Sequence, residues 1–320
     1  MMGPLLLVLV GMAILAAGGE ALVRGAVSLA RLLRVSTAVI GLTIVAMGTS
    51  APELAVSLLA AAQGKGDIAI GNVVGSNIFN VAMIVGLAAL AIPLVVHLTA
   101  IRLEWPFMFV ILAVGMLLAR DGVVDRLEGA FLLVALAVFS GYMVRVARAE
   151  SASSGGGEIE AAVESRTVRS ANAQVAIDAG LVALGVGLLV AGASVLVRGA
   201  VAIAELAGLS ERVIGLTIVA AGTSLPELAT SIVAARKNQP DIALANVIGS
   251  NIFNIAGILG VVALVTPQSV NAEVIRFDMW WMLGYALILW PIMRTGWRVS
   301  RLEGGLLVAG YGVYLWMLLR

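Results

Sequence analysis

Cysteine is absent from the chain, and His97 is its only histidine. The first absence excludes a disulfide framework, thiolate metal sites and a thiol nucleophile. The second leaves zinc and haem chemistry without its usual ligand. Charge is scarce too: 12% of residues are Asp, Glu, Lys or Arg, against about 25% in soluble domains. With 61% hydrophobic residues and a mean hydropathy of +1.06, the chain cannot clothe its surface in charge, so most of that surface must face lipid. The 20 basic residues barely exceed the 19 acidic ones, and no charge excess points to nucleic acid.

What is abundant is apolar sequence. The run from Met1 to Ala17 imitates a signal peptide, but it lacks a basic start and continues into more apolar sequence, so it reads as a retained first membrane helix. At about 20 apolar residues per crossing, the 320 residues leave room for about ten helices. They are expected near 4–32, 36–63, 68–93, 105–119 and 127–147, then near 174–206, 211–236, 241–266, 278–293 and 302–318. The one long polar stretch, Arg145 to Gln174, contains Ser151, Ser153, Ser154 and Gly155-Gly156-Gly157. Such Ser/Gly sequence makes a flexible linker. The expected division is a first five-helix unit over 1–148, a linker over 149–172 and a second five-helix unit over 173–320.

The two units are copies. Leu22 to Val27 recurs as Leu196 to Val201, Ile40 to Leu54 as Ile214 to Leu228, and Asp67 to Asn80 as Asp241 to Asn254. Each pair is 174 positions apart (196 − 22, 214 − 40, 254 − 80), so one register holds without a gap. A repeat of five helices, an odd number, places its second copy upside down in the membrane. The expected fold is therefore all-α and integral to the membrane, in two inverted five-helix repeats, the plan of many secondary transporters.

Basic residues orient it. With the N-terminus outside, the inner segments carry Arg31, Arg34, Arg102, Arg145, Arg148, Arg166, Arg169, Arg236, Lys237, Arg294, Arg298 and Arg301. The outer ones carry Lys65, Arg120, Arg126, Arg212, Arg276 and Arg320. The positive-inside rule favours this placement in the cell membrane, with the linker in the cytoplasm.

A carboxylate in a membrane helix costs about 2.5–3.5 kcal/mol on insertion scales and marks function. Glu53 and Glu227 sit mid-helix at matching places, each after Gly-Thr-Ser-x-Pro. Proline removes a backbone donor and clashes with the preceding turn, so each motif should break its helix. Carbonyls from Ala46 to Gly48 and from Ala220 to Gly222 then lose donors and are free to face a cation. Asn72, Ser76 and Asn80 share a helix face through four-residue spacing, as do Asn246, Ser250 and Asn254. Thr49, Ser50, Thr223 and Ser224 add hydroxyls, and Glu53 with Ser57, like Glu227 with Ser231, is a further four-residue pair. Two carboxylates among hydroxyl, amide and backbone oxygens make a site for a hard cation such as calcium. One divalent ion neutralises the pair, and bare carboxylates would repel, so one ion should leave only as another arrives.

These doubled stretches, Gly48–Glu53 with Gly71–Asn80 and Gly222–Glu227 with Asn246–Asn254, resemble the paired alpha-repeats of the sodium/calcium exchanger family, of prokaryotic type. The resemblance implies ten helices, inverted repeats and alternating access, with sodium driving calcium export. It implies side-chain ligation by Thr49, Ser50, Glu53, Ser76, Asn80, Thr223, Ser224, Glu227, Ser250 and Asn254, and backbone ligation at Ala46 and Ala220. Calcium and sodium ions would be transported substrates, with the lipid bilayer as the other partner. Some relatives have Asp where this chain has Asn80 or Asn254, including potassium-dependent ones, which makes potassium co-transport less expected here. The linker is too short for the large calcium-sensing domains of animal exchangers.

The remaining residues read more plainly. Arg24 and Arg198 are expected to snorkel to an interface, Glu20 to serve a surface or helix end, His97 to be interfacial, and Asn77 and Asn251 to be structural. Pro93, Pro106 and Pro291 are expected at helix ends. Competing functions are a proton/calcium exchanger, an intramembrane hydrolase using the two carboxylates, and a channel. The motifs hold no His or Lys to activate a serine, and doubled broken helices favour alternating access over a continuous pore. The expectation is an antiporter and not an enzyme.

Overall fold

The computed structural model describes residues 2–33, 41–153, 168–206, 214–237 and 240–320. The middle of the linker, 154–167, and the expected helix starts at 36–40 and 211–213 lie outside the described residues.

Most of the described chain is helical. Backbone groups in hydrocarbon must be satisfied within their own segment, and long Leu/Val/Ile/Ala runs do this as helices. Helix α1 spans Met2–Leu33. After a π turn (Gly41–Val45) come the short α2 (Ala46–Thr49) and α3 (Ala51–Ala62). Next are α4 (Gly66–Phe79), a π segment (Asn80–Val85) and α5 (Gly86–Ala91). Strand β1 (Leu94–Val95), a π turn (Ala100–Glu104), α6 (Trp105–Leu118), β2 (Val123–Val124) and α7 (Arg126–Ser153) complete the first half.

The second half repeats this order. It runs α8 (Val168–Leu206), a π segment (Ile214–Val219), α9 (Ala220–Thr223) and α10 (Leu225–Arg236). Then follow α11 (Pro240–Ile252), a π segment (Phe253–Leu259), α12 (Gly260–Val265) and β3 (Gln268–Ser269). Last are a π turn (Val274–Asp278), α13 (Met279–Arg294), β4 (Arg298–Val299) and α14 (Arg301–Leu318). Ser300 and Glu303 form a capping box at the start of α14, satisfying two orphan N–H groups reciprocally.

Among the described residues six helices are long and apolar enough to cross a membrane, or eight if each bent pair counts as one span. About ten were expected. The stretches at 274–294 and 301–318 are helical where the last two were placed. Trp280, Trp281, Tyr285 and Trp290 dilute the hydropathy of the first, and Arg301 and Glu303 that of the second. Pro291 does not end its helix; it lies inside α13 near the C-terminal end, where the loss of one backbone donor is tolerated. The two-residue strands were not foreseen, because two residues carry no periodicity. They pair β1 with β4 and β2 with β3, both antiparallel.

Two packing units follow from glycine placement. Helices α1 and α8 run antiparallel in close contact: Gly11 faces Gly192 and Leu196, Gly18 faces Gly185 and Leu189, and Gly25 faces Asp178 and Val182. A β-carbon at any of these three would come within 2.9 Å of α8. Small residues of this kind let backbones approach where lipid supplies no hydrophobic drive. Leu15, Leu22, Ala26, Leu189 and Leu196 form a small core with Val45, separate from the larger core of the other helices. Glu20 on α1 accepts from Arg24 and from Lys237 at the end of α10, so Arg24 is ion-paired rather than simply snorkelling.

The second unit interlocks the halves. A β-carbon on Gly75 of α4 would sit 2.6 Å from the Leu216 carbonyl oxygen, and one on Gly249 of α11 would sit 2.5 Å from that of Leu42. Each of these helices thus lies directly against the π turn of the opposite half.

Candidate cation site

The site begins with two breaks. Helices α2 and α3 meet at a bend of 46°, and α9 and α10 at 45°. The hinge residues are Ser50 (φ −81°, ψ 6°) and Ser224 (φ −82°, ψ 4°), in the sparsely used bridge region. Pro52 and Pro226 occupy the first turn beyond each break, where the missing N–H is least costly. They also withhold a donor from the carbonyls of Gly48 and Gly222, four residues earlier. Glu53 and Glu227 fall in the first turns of α3 and α10. Unpaired N–H groups and the positive end of the helix dipole favour a carboxylate there.

The side chains meet crosswise. Ser50 Oγ donates to Glu227 Oε1 at 2.9 Å, and Ser224 Oγ donates to Glu53 Oε1 at 3.0 Å. Each acid is held by the hydroxyl of the other half. Thr223 Oγ1 donates to Asn72 Oδ1 at 3.0 Å, and Thr49 Oγ1 to Asn246 Oδ1 at 3.3 Å. Asn72 in turn donates to Ser57 Oγ and to the Glu53 carbonyl, and Asn246 to Ser231 Oγ. Ser250 Oγ reaches Glu227 Oε1 at 3.3 Å, while Ser76 Oγ reaches the Ala220 carbonyl at 3.5 Å. All of these residues are buried.

Several oxygens in this buried centre have no donor among the described residues. Among the described residues Oε2 of Glu53, Oε2 of Glu227, Oδ1 of Asn80 and Oδ1 of Asn254 have no hydrogen-bond partner. A buried acceptor left unmade costs about 1–3 kcal/mol, more when charged. A cation with a flexible oxygen shell is the chemical complement of such a set. Among the described residues there is no cluster of three or more His, Cys, Asp or Glu, the kind of set that would hold a resident metal.

These bonds link Thr49, Ser50, Glu53, Ser76, Thr223, Ser224, Glu227 and Ser250 to groups of the opposite half or to one another, while Asn80 bonds to Asn251 and Asn254 is buried without a side-chain partner among the described residues. Ala46 and Ala220 do not present bare carbonyls: each accepts from the N–H of Ser50 or Ser224 at 3.0 Å, and from Thr49 or Thr223 as well. The breaks leave these bonds intact because the missing donors, at Pro52 and Pro226, lie two residues past Ser50 and Ser224. Ser57 and Ser231 bond to Asn72 and Asn246 rather than to the glutamates. Asn251 is more than a packing residue, for its Oδ1 accepts from Asn80 Nδ2 at 3.0 Å and so aims Asn80. Asn77 bonds to the Val73 carbonyl within its own helix.

Sequence reasoning missed a second matched pair of buried acids, Glu104 and Asp278. They stand 174 positions apart (278 − 104), each at the end of a π turn, and Tyr314 donates to Asp278 at 3.0 Å. The repeat register continued past Asn80 would have found them.

Comparison with known proteins fits this geometry. The family model described as "Sodium/calcium exchanger protein" matches residues 3–145 and 177–320. The chain is 39% identical to the "Putative antiporter CaxA" of Alkalimonas amylolytica, covering 97% of each chain. It is 36% identical to the "Sodium/calcium exchanger MaX1" of Methanosarcina acetivorans, again covering 97% of each. Among solved structures it resembles the sodium-calcium exchanger NCX_Mj with a TM-score of 0.80 and 30% identity, covering 97% of this chain and 96% of that one. It is these matches, and not the want of an activating His or Lys, that decide the question of an enzyme: they point to a transporter, which does not catalyse a chemical reaction. The chain is a multi-pass membrane protein and belongs to the sodium/calcium exchanger family of cation/calcium antiporters.

Proposed function

We propose that the protein exchanges sodium for calcium across the cell membrane by alternating access. The observation that carries this reading is the crosswise pair of buried glutamates, each with one oxygen held by the opposite serine and the other unsatisfied. A single calcium ion neutralises both carboxylates. Sodium ions replace it on the surrounding oxygens of Thr49, Ser50, Ser76, Asn80, Thr223, Ser224, Ser250 and Asn254. The Ala46 and Ala220 carbonyls join the shell when the threonine hydroxyls turn away from them. With no ion between them the two acids repel, so the unloaded site resists reorientation and exchange is obligatory.

The same reading includes two inverted five-helix repeats over 1–148 and 173–320, a cytoplasmic linker over 149–172 and an external N-terminus. The antiparallel α1 and α8, which are repeat counterparts, support the inversion. The test is calcium uptake into proteoliposomes under an imposed sodium gradient at fixed pH. Uptake that follows the sodium gradient is expected. Uptake that ignores sodium and follows a pH gradient would make the protein a proton/calcium exchanger instead.

A further inference from the structure

Between α13 and α14 lies a groove of about 560 Å³. That is within the range of about 300–1,000 Å³ that ligand sites occupy. Trp280, Ile288 and Leu306 on its walls are exposed, so it opens toward lipid. It follows α13 from Arg276 to Ile292, roughly 24 Å at 1.5 Å per residue, most of the hydrocarbon thickness.

Two polar groups in the groove lack a partner in the protein. Tyr285 is 4% exposed, and its buried hydroxyl makes no hydrogen bond to any described residue. Gly310 makes room for that hydroxyl, since a β-carbon there would sit 2.8 Å from it. A buried phenol hydroxyl ordinarily finds an acceptor. Arg276 lines one end of the groove and is exposed, without a hydrogen bond or ion pair among the described residues. At the other end stands Glu303, engaged in the helix cap. The groove is thus cationic at the Arg276 end and largely apolar along its length.

We propose that this groove binds one anionic phospholipid. Its phosphate lies on the Arg276 guanidinium and one acyl chain runs between Trp280 and Leu306, past the Tyr285 ring. A basic side chain near a bilayer surface favours an anionic lipid by about fivefold.

Photoreactive phosphatidylglycerol and phosphatidylcholine, with the same diazirine-bearing acyl chain, test this on the purified full chain by mapping cross-linked peptides. Phosphatidylglycerol should label the Trp280–Ile288 and Leu306 peptides about fivefold more than phosphatidylcholine. Arg276→Gln should bring the two lipids level. Gly284 lines the groove, and a β-carbon there meets nothing within 4 Å. Gly284→Leu should therefore fill the groove and remove labelling without lowering the unfolding temperature. Equal labelling by the two lipids in the wild type, labelling spread evenly over lipid-facing helices, or cross-links joining two copies of the chain here would overturn the proposal.

Discussion

A carboxylate with one oxygen bonded and the other bare is a costly arrangement in a dry interior. The protein contains it twice, at Glu53 and Glu227. Replacing either by Gln preserves shape and removes the charge that complements a divalent ion. Breaking a buried charge partnership costs about 3–5 kcal/mol, so Glu53→Gln or Glu227→Gln should lower calcium uptake by roughly a hundredfold or more. Ser50→Ala and Ser224→Ala each remove one charge-assisted hydrogen bond, worth about 1.5–3 kcal/mol, and should weaken uptake by about tenfold to a hundredfold. The Ser224→Ala loss should be the larger, because Glu227 keeps a second serine, Ser250, when Ser50 is removed, whereas Ser76 bonds to the Ala220 carbonyl instead of Glu53. Radioactive calcium uptake in proteoliposomes reads all four, and retained exchange in both Gln variants would defeat the assignment.

At the scale of elements, Gly75 on α4 and Gly249 on α11 are among the closest joints of the described residues. A methyl group there would meet backbone oxygen rather than a yielding side chain. Overpacking of that kind costs about 1–3 kcal/mol, so Gly75→Ala and Gly249→Ala should lower the unfolding temperature in detergent. Gly141 on α7 is the contrast: a β-carbon there meets nothing within 4 Å, and Gly141→Ala should be neutral or stabilising by up to about 1 kcal/mol. Equal destabilisation at all three positions would contradict this reading.

The helices and breaks were legible because hydropathy and proline act locally. The faces of α4 and α11 were legible because four-residue spacing needs no tertiary knowledge. The Ser50–Glu227 and Thr223–Asn72 bonds were not. They join residues 177 and 151 positions apart, and only the packing of one half on the other selects them. The π turns and two-residue strands escaped for a different reason, being adjustments of helix ends and loops that leave no pattern in composition.

For the whole molecule, inversion makes a prediction that the lack of cysteine renders simple to test. Ala62 and Arg236 are repeat counterparts (236 − 62 = 174), and both are exposed. A single cysteine at either position is the only thiol in the chain. Inverted repeats put Ala62→Cys and Arg236→Cys on opposite faces, the first accessible from outside. A membrane-impermeant maleimide applied to intact cells should label only the first, and labelling both from one side would refute inversion.

Because each serine clasps the far half's acid, neither unit owns a finished binding centre. Either half alone carries a glutamate but must borrow the hydroxyl that steadies it. Damage to one motif is therefore felt first by its twin.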